Sequence, residues 1–404
     1  MVSASRGDHT RMTYLVSMMV GAMTALTVGR MSWNVGNRCE TAQFQVYKEP
    51  CPMPRDDETR EHGVQGVNCK VEKHTFAKRM EEGGKLIFTH IPKCAGTSFV
   101  SELKGKHHLY LKNEIAWKME QCFLDLQESK GIHLIFLRSP RKHLLSQFME
   151  CKYTEWGHTK TKNTDFPQQG ELYDDFQTWI DHFHNLNEDK KTWGKEFAYN
   201  CYNPRNMQSR YLTCQAPGGP NPEWQYTKAV YPHFAHEKEP SLTEAILNLD
   251  KHEWIGVADL YHESLCVFVY RHKGTLPSNC KCPFPQNAGH THNTHSVPEH
   301  HVGTVPSDTL RKVDELSLLD QGLFIHGLAL LLADIYEVQK ETRTRFLCAG
   351  RLEGVYDQLS FQKDAAAKLK AAYKDILQNH PGSLKPSQEL QIQMFLMTSV
   401  PAAS

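Results

Sequence analysis

The stretch KLIFTHIPKCAGTSF, residues 85–99, decides how the rest of the chain is interpreted. Its apolar residues 86–88 predict a buried strand, because a short apolar run followed by turn-forming residues is typical of a strand covered on both faces. A turn with proline, lysine and glycine comes next, and Thr97 and Ser98 stand at a predicted helix start. A strand, a turn and a helix start in this order are typical of loops that bind phosphate groups. The alternative is an ordinary connection in which Thr97 is the N-cap of the helix.

A second stretch of the same kind is LRSPRKHLLS, residues 137–146, which ends the apolar run of residues 132–137. Arg138 stands at the end of this predicted strand, and Ser146 follows eight residues later, two turns into a predicted helix. A guanidinium group and a hydroxyl group in these places could hold a second phosphate group. The alternative is an exposed basic helix start, which is unfavourable because cations at a helix N-terminus oppose the helix dipole.

Strands and helices alternate along residues 85–340, which predicts an α/β fold with a parallel sheet. A third strand is predicted at residues 253–257. Helices are predicted at residues 97–104, 115–129, 141–152, 260–271, 308–340 and 361–379. We therefore expect a P-loop-like three-layer domain, with a central parallel sheet flanked by helices and with ligands at the carboxyl ends of the strands.

The N-terminal segment is a candidate membrane anchor, because residues 12–29 contain no charged residue. As a helix this segment is about 27 Å long at ~1.5 Å per residue, which nearly spans a hydrocarbon core of ~30 Å. A cleaved signal peptide and a buried helix are the alternatives. The expected parts are a cytosolic tail at residues 1–11, a signal-anchor transmembrane helix at 12–30, a stem or linker at 31–84, the main folded domain at 85–347 and a C-terminal helical extension at 348–404.

The composition bears on the partner and on the compartment. Lys and Arg number 46 and Asp and Glu number 46, so the formal net charge is zero and no basic field favours a nucleic-acid partner.

Twelve cysteines are too few for a disulfide scaffold but enough for several disulfide bonds in an oxidising compartment. Cys280 and Cys282 are separated by one residue, which is too close for half of a usual zinc site. We predict that each forms a disulfide bond with a separate partner; the alternative is that they are free thiols.

Two phosphate sites at neighbouring strand ends favour one ligand with phosphate groups at both ends, and 3′-phosphoadenosine 5′-phosphosulfate (PAPS) is such a ligand. The pair PKCAGTS (92–98) and RSPRKHLLS (138–146) resembles the 5′-phosphosulfate and 3′-phosphate motifs of the PAPS-dependent sulfotransferases. The branch that it resembles most is the membrane-anchored carbohydrate branch, which includes the heparan sulfate and galactose sulfotransferases. Weaker likeness continues through residues 202–212, 254–265 and 313–324.

This resemblance implies an enzyme that transfers a sulfuryl group from PAPS to a hydroxyl group of a glycan or polysaccharide. It also implies a single-pass type II protein of the Golgi membrane, with a lumenal catalytic domain and no metal. The alternatives are a protein tyrosine or a small alcohol as the acceptor, or a non-catalytic nucleotide- or glycan-binding protein of the same fold. A P-loop kinase is disfavoured, because Lys93 precedes Gly96 whereas the P-loop lysine follows its glycine, and because no convincing magnesium site is present.

The resemblance also assigns roles to individual residues. Lys93 would stabilise the charge that grows on the leaving 5′-phosphate, and Arg138 and Ser146 would hold the 3′-phosphate that distinguishes PAPS from ATP-like ligands. Two positions depart from the family pattern: Cys94 stands where threonine is frequent, and His143 stands where some relatives have a second arginine. The residues expected to bind the donor are Lys93, Cys94, Ala95, Gly96, Thr97, Ser98, Arg138, Ser146, Arg210 and His295.

The acceptor hydroxyl group needs a general base, which family members carry as a histidine or a glutamate after the first helix. The candidates here are His108 and His107, followed by Glu114; alternatively, each is a solvated surface residue. The histidine run at residues 290–295 is a further feature, and it fits a loop on the nucleotide side, a plain surface loop or a zinc site. Zinc is disfavoured, because no acidic or cysteine ligand stands at a convincing spacing.

Overall fold

The structure, a computed structural model, describes most of one compact unit of the chain, His74–Lys385. The described residues are 75–103, 115–116, 122–123, 131–186, 199, 201–214, 239–283, 297–348, 350–352, 355 and 363–380. The predicted membrane anchor lies outside them, as do the general-base candidates His107, His108 and Glu114 and the expected nucleotide-side residue His295.

The core of the unit is a small parallel sheet with three main strands and a two-residue strand at one edge. Leu86 lies opposite Ile132, and Leu134 lies opposite Trp254. All residues of the central strand are buried, as expected of a strand that is apolar on both faces. The strands are β1 (Lys85–Thr89), β2 (Ile115–Ala116), β3 (Gly131–Leu137) and β4 (Trp254–Val257), in the order β2-β1-β3-β4. The three predicted strands are confirmed to within one residue at each end.

Helices occupy most of the remaining described chain. The 3₁₀ turn Ala258–Leu260 directly follows β4. A second 3₁₀ turn, Val302–Thr304, precedes the helix that begins at Ser307. The helices are α1 (Thr75–Glu81), α2 (Gly96–Ser101), α3 (Pro140–Tyr153), α4 (Glu155–Thr161), α5 (Leu172–Asn185), α6 (Met207–Thr213), α7 (Leu242–Leu249), α8 (Tyr261–Lys273), α9 (Ser307–Leu316), α10 (Leu318–Thr342) and α11 (Lys363–Asn379).

Helices cover both faces of the sheet. On one face, Phe99 of α2 lies against Phe136 of β3 and Trp254 of β4, with ring centroids 5.1 Å apart in each pair. On the other face, α10 comes so close at Gly327 that a Cβ atom there would lie 2.4 Å from Cδ1 of Leu137. Phe136 and Leu137 are consecutive strand residues and therefore point to opposite faces. The predicted α/β class, with a parallel sheet flanked by helices, is confirmed.

The helix α10 is long and apolar enough to cross a membrane, yet 61% of its most apolar window is buried inside the unit. It packs against β4 and against α7, α8 and α11. A helix that is apolar around most of its surface and is covered by such neighbours is typical of the core of a globular domain.

Residues 308–340 form two helices rather than the single helix that their pattern predicts. The break lies at Ser317, where Asn206 enters from another part of the chain. Oδ1 of Asn206 accepts a hydrogen bond from the N–H group of Leu319 at 2.9 Å, and its N–H group donates to the carbonyl oxygen of Leu316 at 3.2 Å. Asn206 therefore satisfies backbone groups on both sides of the break, which helix ends otherwise leave without intrahelical partners.

The helix predicted at residues 115–129 is wrong where the structure describes this stretch. Residues 115–116 form β2 and pair with residues 86–87 of β1, and Cys122 is not helical. The edge of β1 presents backbone N–H and C=O groups that an added strand satisfies. This long-range pairing overrides the apolar spacing that indicated a helix.

The folded unit begins before and ends after the predicted limits of the main domain. Phe76 of α1 is 2% exposed and lies against Phe268 of α8, with ring centroids 6.0 Å apart. At the other end, Tyr373 of α11 is buried, and its hydroxyl oxygen lies 2.8 Å from Nδ1 of His326 on α10. Residues 75–84 of the predicted stem therefore belong to the folded unit, because the core covers an aromatic side chain of α1.

Disulfide bonds tie distant parts of the described chain together. The prediction that Cys280 and Cys282 pair with separate partners is confirmed. Among the described residues, Cys94 is the free cysteine, and it is buried. The disulfide bonds found among those residues are Cys122–Cys214, Cys151–Cys201, Cys266–Cys280 and Cys282–Cys348.

Candidate anion-binding site

The carboxyl ends of β1, β3 and β4 meet at one edge of the sheet, and both sequence motifs lie there. The strand β1 leads into the loop of residues 90–95, β3 leads into Arg138, and β4 leads towards Asp259. The side chain of Arg138 donates a hydrogen bond from Nη1 to the carbonyl oxygen of Lys93 at 2.9 Å. The two stretches that sequence analysis singled out are therefore in direct contact.

The first loop has a backbone conformation that glycine commonly adopts. Lys93 and Ala95 have φ angles of 62° and 64°, in the left-handed region that costs roughly 1–2 kcal/mol for a residue with a Cβ atom. The helix α2 begins at Gly96, so Thr97 lies in its first turn and is not its N-cap. A Cβ atom at Gly96 would lie 2.0 Å from Cδ2 of His90, so the loop requires a glycine at this position.

Lys93 reaches from the loop to α3. Its Nζ lies 2.6 Å from Oε2 of Glu150, and the two side chains are only 15% and 14% exposed. An ion pair that is largely removed from water interacts more strongly than one at the surface. Thr97 and Ser98, in the first turn of α2, are half-buried beside the same loop. The site therefore contains a carboxylate counterion for its lysine.

Cys94 lies beneath the loop. Its side chain is 1% exposed, and its Sγ lies 3.8 Å from Oε1 of Gln208. Its N–H group donates to the carbonyl oxygen of Ile91 at 3.3 Å. Burial raises the pKa of the Cys94 thiol well above its ordinary value, so the thiol stays neutral. The N–H group of Cys94 therefore has a partner inside the loop and its thiol has one on α6, and the structure does not direct them at a ligand.

Asp259 holds the start of the second sequence stretch, residues 138–146, in place. Its carboxylate accepts hydrogen bonds from the N–H and hydroxyl groups of Ser139, both at 2.8 Å, and lies 2.9 Å from Nζ of Lys142. The guanidinium group of Arg141 makes two hydrogen bonds to the carboxylate of Asp314, at 2.8 and 2.5 Å. Two of the cations that the sequence places at the start of α3 are therefore neutralised by carboxylates.

Arg138 is fixed by its backbone as well as by its side chain. Its N–H group donates to Oε1 of Gln208 at 3.0 Å, and its carbonyl oxygen accepts from Nε2 of the same side chain at 2.9 Å. Burial lowers the pKa of the guanidinium group, but arginine stays protonated in proteins. Ser146 is buried two turns into α3, as predicted. Arg138 thus supplies a rigidly held positive charge at the end of β3.

His143 anchors the first loop to α3. Its Nε2 lies 2.8 Å from the carbonyl oxygen of Pro92, and the side chain is fully buried. Burial lowers the pKa of His143 to about 3. A neutral imidazole beside a carbonyl oxygen donates its N–H. The histidine therefore supplies a hydrogen bond, and no charge, to the first loop.

Residues 206–210 connect this edge of the sheet to α10. Gln208 holds the backbone of Arg138 with its side chain, and the N–H groups of Gln208 and Ser209 donate to the carboxylate of Asp320 at 3.0 and 2.8 Å. Burial raises the pKa of Asp320 to about 6, and these hydrogen bonds oppose the shift. The position of Arg138 therefore depends on the start of α10.

Arg210, expected on the nucleotide side, lies in the interior of this connection. It is 2% exposed, and its Nε donates to the carbonyl oxygen of Arg205 at 3.0 Å. Burial lowers the pKa of Arg210 to about 10, while the carboxylate of Asp320 favours its charged form. The structure thus places Arg210 where it stabilises the contact between α6 and α10.

The sequence motifs do not include three residues of this site. Glu150 stands in an ordinary helical stretch and belongs to no motif. Asp259 stands in the GVADLYHESL junction, whose likeness to relatives was noted, but its bond to Ser139 spans 120 positions and is not visible in the sequence. His300 lies beyond the histidine run that was considered. Asp259 follows a predicted strand, and the carboxyl ends of parallel strands meet at one edge of the sheet, where ligands bind. This position was the signal that could have indicated Asp259.

His300 brings the histidine-rich region close to the two cations. Burial lowers the pKa of His300, and the positive charges of Arg138 and Lys93 lower it further. The next residue, His301, is held at α5, where the hydroxyl group of Tyr173 donates to its carbonyl oxygen at 3.3 Å. The segment that contains His300 therefore borders the site.

Metal-ligating side chains converge at one place in the described part of the chain. Ligand atoms of His262, Cys266 and Cys280 lie within 4.8 Å of one another. The two cysteines form a disulfide bond, so they offer no thiolate to a metal ion. The group lies on α8 and the segment after it, outside the loops described above.

Comparisons of this chain with protein families, with curated proteins and with solved structures find no match. The resemblance to sulfotransferases therefore rests on the sequence motifs alone.

Proposed function

We propose that this protein is a PAPS-dependent sulfotransferase that transfers a sulfuryl group to a hydroxyl group of a glycan. The observation that carries the proposal is the 2.9 Å hydrogen bond from Arg138 to the carbonyl oxygen of Lys93. It joins a lysine-bearing loop and an arginine at neighbouring strand ends of a parallel sheet, where ligands of α/β proteins bind. A ligand with anionic groups at both ends suits two cations held in this way.

The donor would lie across this edge of the sheet. Lys93, with Thr97 and Ser98 of α2, would bind the 5′-phosphosulfate. Arg138 and Ser146 would bind the 3′-phosphate, since a guanidinium group and a hydroxyl group both donate hydrogen bonds to phosphate oxygens. This second contact would separate PAPS from ADP and ATP, which lack a 3′-phosphate.

The chemistry requires positioning and charge stabilisation rather than a protein nucleophile. The acceptor oxygen attacks sulfur, the bond between sulfur and the bridging oxygen breaks, and 3′-phosphoadenosine 5′-phosphate leaves. The ammonium group of Lys93 would stabilise the negative charge that develops on the bridging oxygen. His108, His107 or Glu114 would take the proton of the acceptor hydroxyl group.

The proposal extends to the fold family and the location. A P-loop-like three-layer domain would be carried by a signal anchor at residues 12–30 in the Golgi membrane, with the domain in the lumen. The disulfide bonds of the described residues support an oxidising compartment. The acceptor would be a glycan or polysaccharide, with a protein tyrosine or a small alcohol as alternatives.

A non-catalytic nucleotide- or glycan-binding protein is the second candidate. The observation that favours it is the ion pair between Lys93 and Glu150, whose atoms are 2.6 Å apart. A carboxylate on the one lysine that the reaction needs would lower the positive potential available to a leaving group.

The proposal is tested by thermal melts of the full-length chain with 3′-phosphoadenosine 5′-phosphate and, separately, with ADP. A ligand that binds only the native state stabilises it by about 2.7 kcal/mol at a concentration 100 times its Kd. We expect the 3′,5′-bisphosphate to raise the Tm and ADP to raise it much less. Ser146→Ala should weaken bisphosphate binding by about tenfold, as the loss of a hydrogen bond to a charged group implies, and should not affect the ADP response.

Arg311→Ala is the matched control, because it removes a charge from an exposed face of α9, where the side chain is 53% exposed. It should leave both nucleotide responses unchanged. If neither nucleotide raises the Tm of the folded chain, the sulfotransferase proposal is wrong and a glycan-binding role takes its place.

A further inference from the structure

The ion pair between Lys93 and Glu150 stands inside the proposed donor site, and the proposed chemistry gives the carboxylate no role. The two atoms lie 2.6 Å apart, and about six-sevenths of each side chain is shielded from water, since the exposures are 15% and 14%. Electrostatic interactions of groups so placed are poorly screened. Any anion that approaches Lys93 therefore competes with Glu150 for the same ammonium group.

The geometry of α3 places the carboxylate of Glu150 next to a residue of the proposed donor site. Ser146 and Glu150 are four residues apart on α3 and so lie on the same face of the helix. Neighbours at this spacing have Cβ atoms about 5–6 Å apart. A bisphosphate that bonds to Ser146 at one end and to Lys93 at the other would therefore pass next to the carboxylate, which repels it.

Neither element that carries the ion pair is free to move it away. The loop is tied to α3 through the 2.8 Å contact of His143 with the carbonyl oxygen of Pro92. The start of α3 is tied to the 3₁₀ turn after β4 through the two hydrogen bonds of Ser139 with Asp259. The two backbone segments are thus fixed, so the ion pair separates by rotation of the two side chains and not by movement of the loop or the helix.

The charges around the pair explain why a carboxylate lies against Lys93. Arg138 donates to the carbonyl oxygen of Lys93, and the positive charges of both residues act on the imidazole of His143. The nearby imidazoles of His90 and His143 are neutral at ordinary pH, because burial lowers their pKa values to about 4 and about 3. Glu150 therefore offsets the positive charge of Lys93, which an anionic ligand would offset in its place.

We propose that Glu150 is an internal counterion that occupies Lys93 in the empty donor site and is displaced when the donor binds. The inference rests on the proposed function and adds a regulatory element to the same site. Glu150 lowers the affinity for the donor and for the bisphosphate product alike, and its return to Lys93 favours release of the product. The exchange replaces one anion on Lys93 by another, so that the loop keeps a neutralised lysine in both states.

The test is a calorimetric titration of the full-length chain with 3′-phosphoadenosine 5′-phosphate and, separately, with inorganic pyrophosphate. Glu150→Gln keeps the size of the side chain and removes its charge. We expect it to bind the bisphosphate about tenfold more tightly, which corresponds to about 1.4 kcal/mol of lost competition, and to melt at a lower temperature without ligand. Glu150→Asp keeps the carboxylate and should stay close to wild type.

Glu155→Gln is the matched control, because it removes the same charge from an exposed position at the start of α4. It should leave both affinities within about twofold, since exposed charges are largely screened. A gain in Glu155→Gln equal to that in Glu150→Gln would show a general charge effect and overturn the inference.

The remaining outcomes separate this inference from the proposed function. If the bisphosphate binds wild type and Glu150→Gln equally, the internal counterion is refuted while the donor site stands. If Glu150→Gln gains affinity for pyrophosphate but the thermal melts described above show no preference for the bisphosphate over ADP, the counterion is supported and the sulfotransferase proposal fails. If neither anion binds either folded protein, both ideas are wrong.

Discussion

The side chain of His143 links the shape of the first loop to the pH of the solution. It holds the carbonyl oxygen of Pro92, and burial lowers its pKa from 6.5 to about 3. Two other buried histidines have lowered values for the same reason, about 4 for His90 and about 3 for His252. In the unfolded chain these imidazoles bind protons below pH 6.5, whereas in the folded chain they remain neutral. Their contribution to stability is therefore complete above about pH 6.5 and is lost as the pH falls towards the folded pKa values.

His143→Gln should reduce this acid sensitivity. Each buried histidine makes unfolding easier by up to about 1.4 kcal/mol per pH unit below 6.5. We expect the free energy of unfolding of the variant to fall by about 2 kcal/mol less than that of wild type between pH 7.5 and pH 5.0. Urea unfolding at the two pH values measures this difference. Leu144→Ala, which removes no titrating group, should cost the same at both; an equal pH loss in His143→Gln and wild type would refute the argument.

The conformations of Lys93 and Ala95 show what a residue pattern cannot reveal. Both residues lie in the left-handed region, although neither is glycine or asparagine, the residues that most readily adopt it. The sequence predicted a turn here and did so correctly. The turn's shape is fixed by contacts from distant residues, Arg138 and His143, which hold two successive carbonyl oxygens of the loop.

Among the secondary-structure elements, the junction between α9 and α10 depends most clearly on a distant side chain. Asn206 accepts hydrogen bonds from the first N–H groups of α10 and has a left-handed backbone itself, with φ at 46°. Asparagine tolerates this conformation better than residues other than glycine. The residue therefore stabilises the helix break in two independent ways.

Two substitutions separate these contributions. Asn206→Gly removes the hydrogen bonds of the side chain but permits the left-handed backbone, and we expect a loss of about 1–2 kcal/mol in the free energy of unfolding. Asn206→Ala removes both contributions and should cost about 1 kcal/mol more. Chemical denaturation of the two variants checks the order. Equal losses would mean that the backbone conformation of residue 206 contributes nothing.

The three main strands could be predicted from the sequence, whereas the edge strand β2 could not, for a physical reason. β1 and β3 are buried on both faces and so require continuous apolar runs, which the sequence displays. β2 has two residues and pairs only with β1. A segment this short has no periodicity of its own, so its state is decided by the strand that it meets.

On the scale of the whole molecule, the disulfide bonds set how much the unfolded chain is restrained. Cys282–Cys348 closes a loop over 66 positions, whereas Cys266–Cys280 closes one over 14. In the loop-entropy description, a bond across about 15 residues contributes ~3 kcal/mol and one across about 100 contributes ~4.7 kcal/mol.

Paired substitution to serine tests this description. Cys282→Ser with Cys348→Ser should lower the free energy of unfolding by about 4 kcal/mol, about 1 kcal/mol more than Cys266→Ser with Cys280→Ser. The longer bond also tethers the segment whose Arg351 donates to Glu263 at 2.9 Å, which adds to the loss. Urea unfolding of the two double variants makes the comparison. A larger loss from the short loop would show that local contacts, not chain entropy, dominate.

Only some residues of the candidate site could be predicted from the sequence. Lys93, Arg138 and Ser146 stand in recognisable stretches, because strand ends followed by glycine, lysine or arginine leave a local pattern. Glu150 and Asp259 act through partners 57 and 120 positions away. A contact across the fold leaves no such pattern in one sequence, and Arg210 shows the converse, since a residue in a suggestive stretch lies in the interior.

The hydrogen bond between Arg138 and the carbonyl oxygen of Lys93 has a further consequence for how a ligand is held. It holds the guanidinium group of Arg138, one candidate anchoring point, against the backbone of Lys93, whose ammonium group is the other. A molecule with a charged group at each end would bind the second point at the high effective concentration set by attachment at the first. Its affinity would then exceed that of two separate anions by far, and a molecule too short or too long to reach both points would be held by one alone.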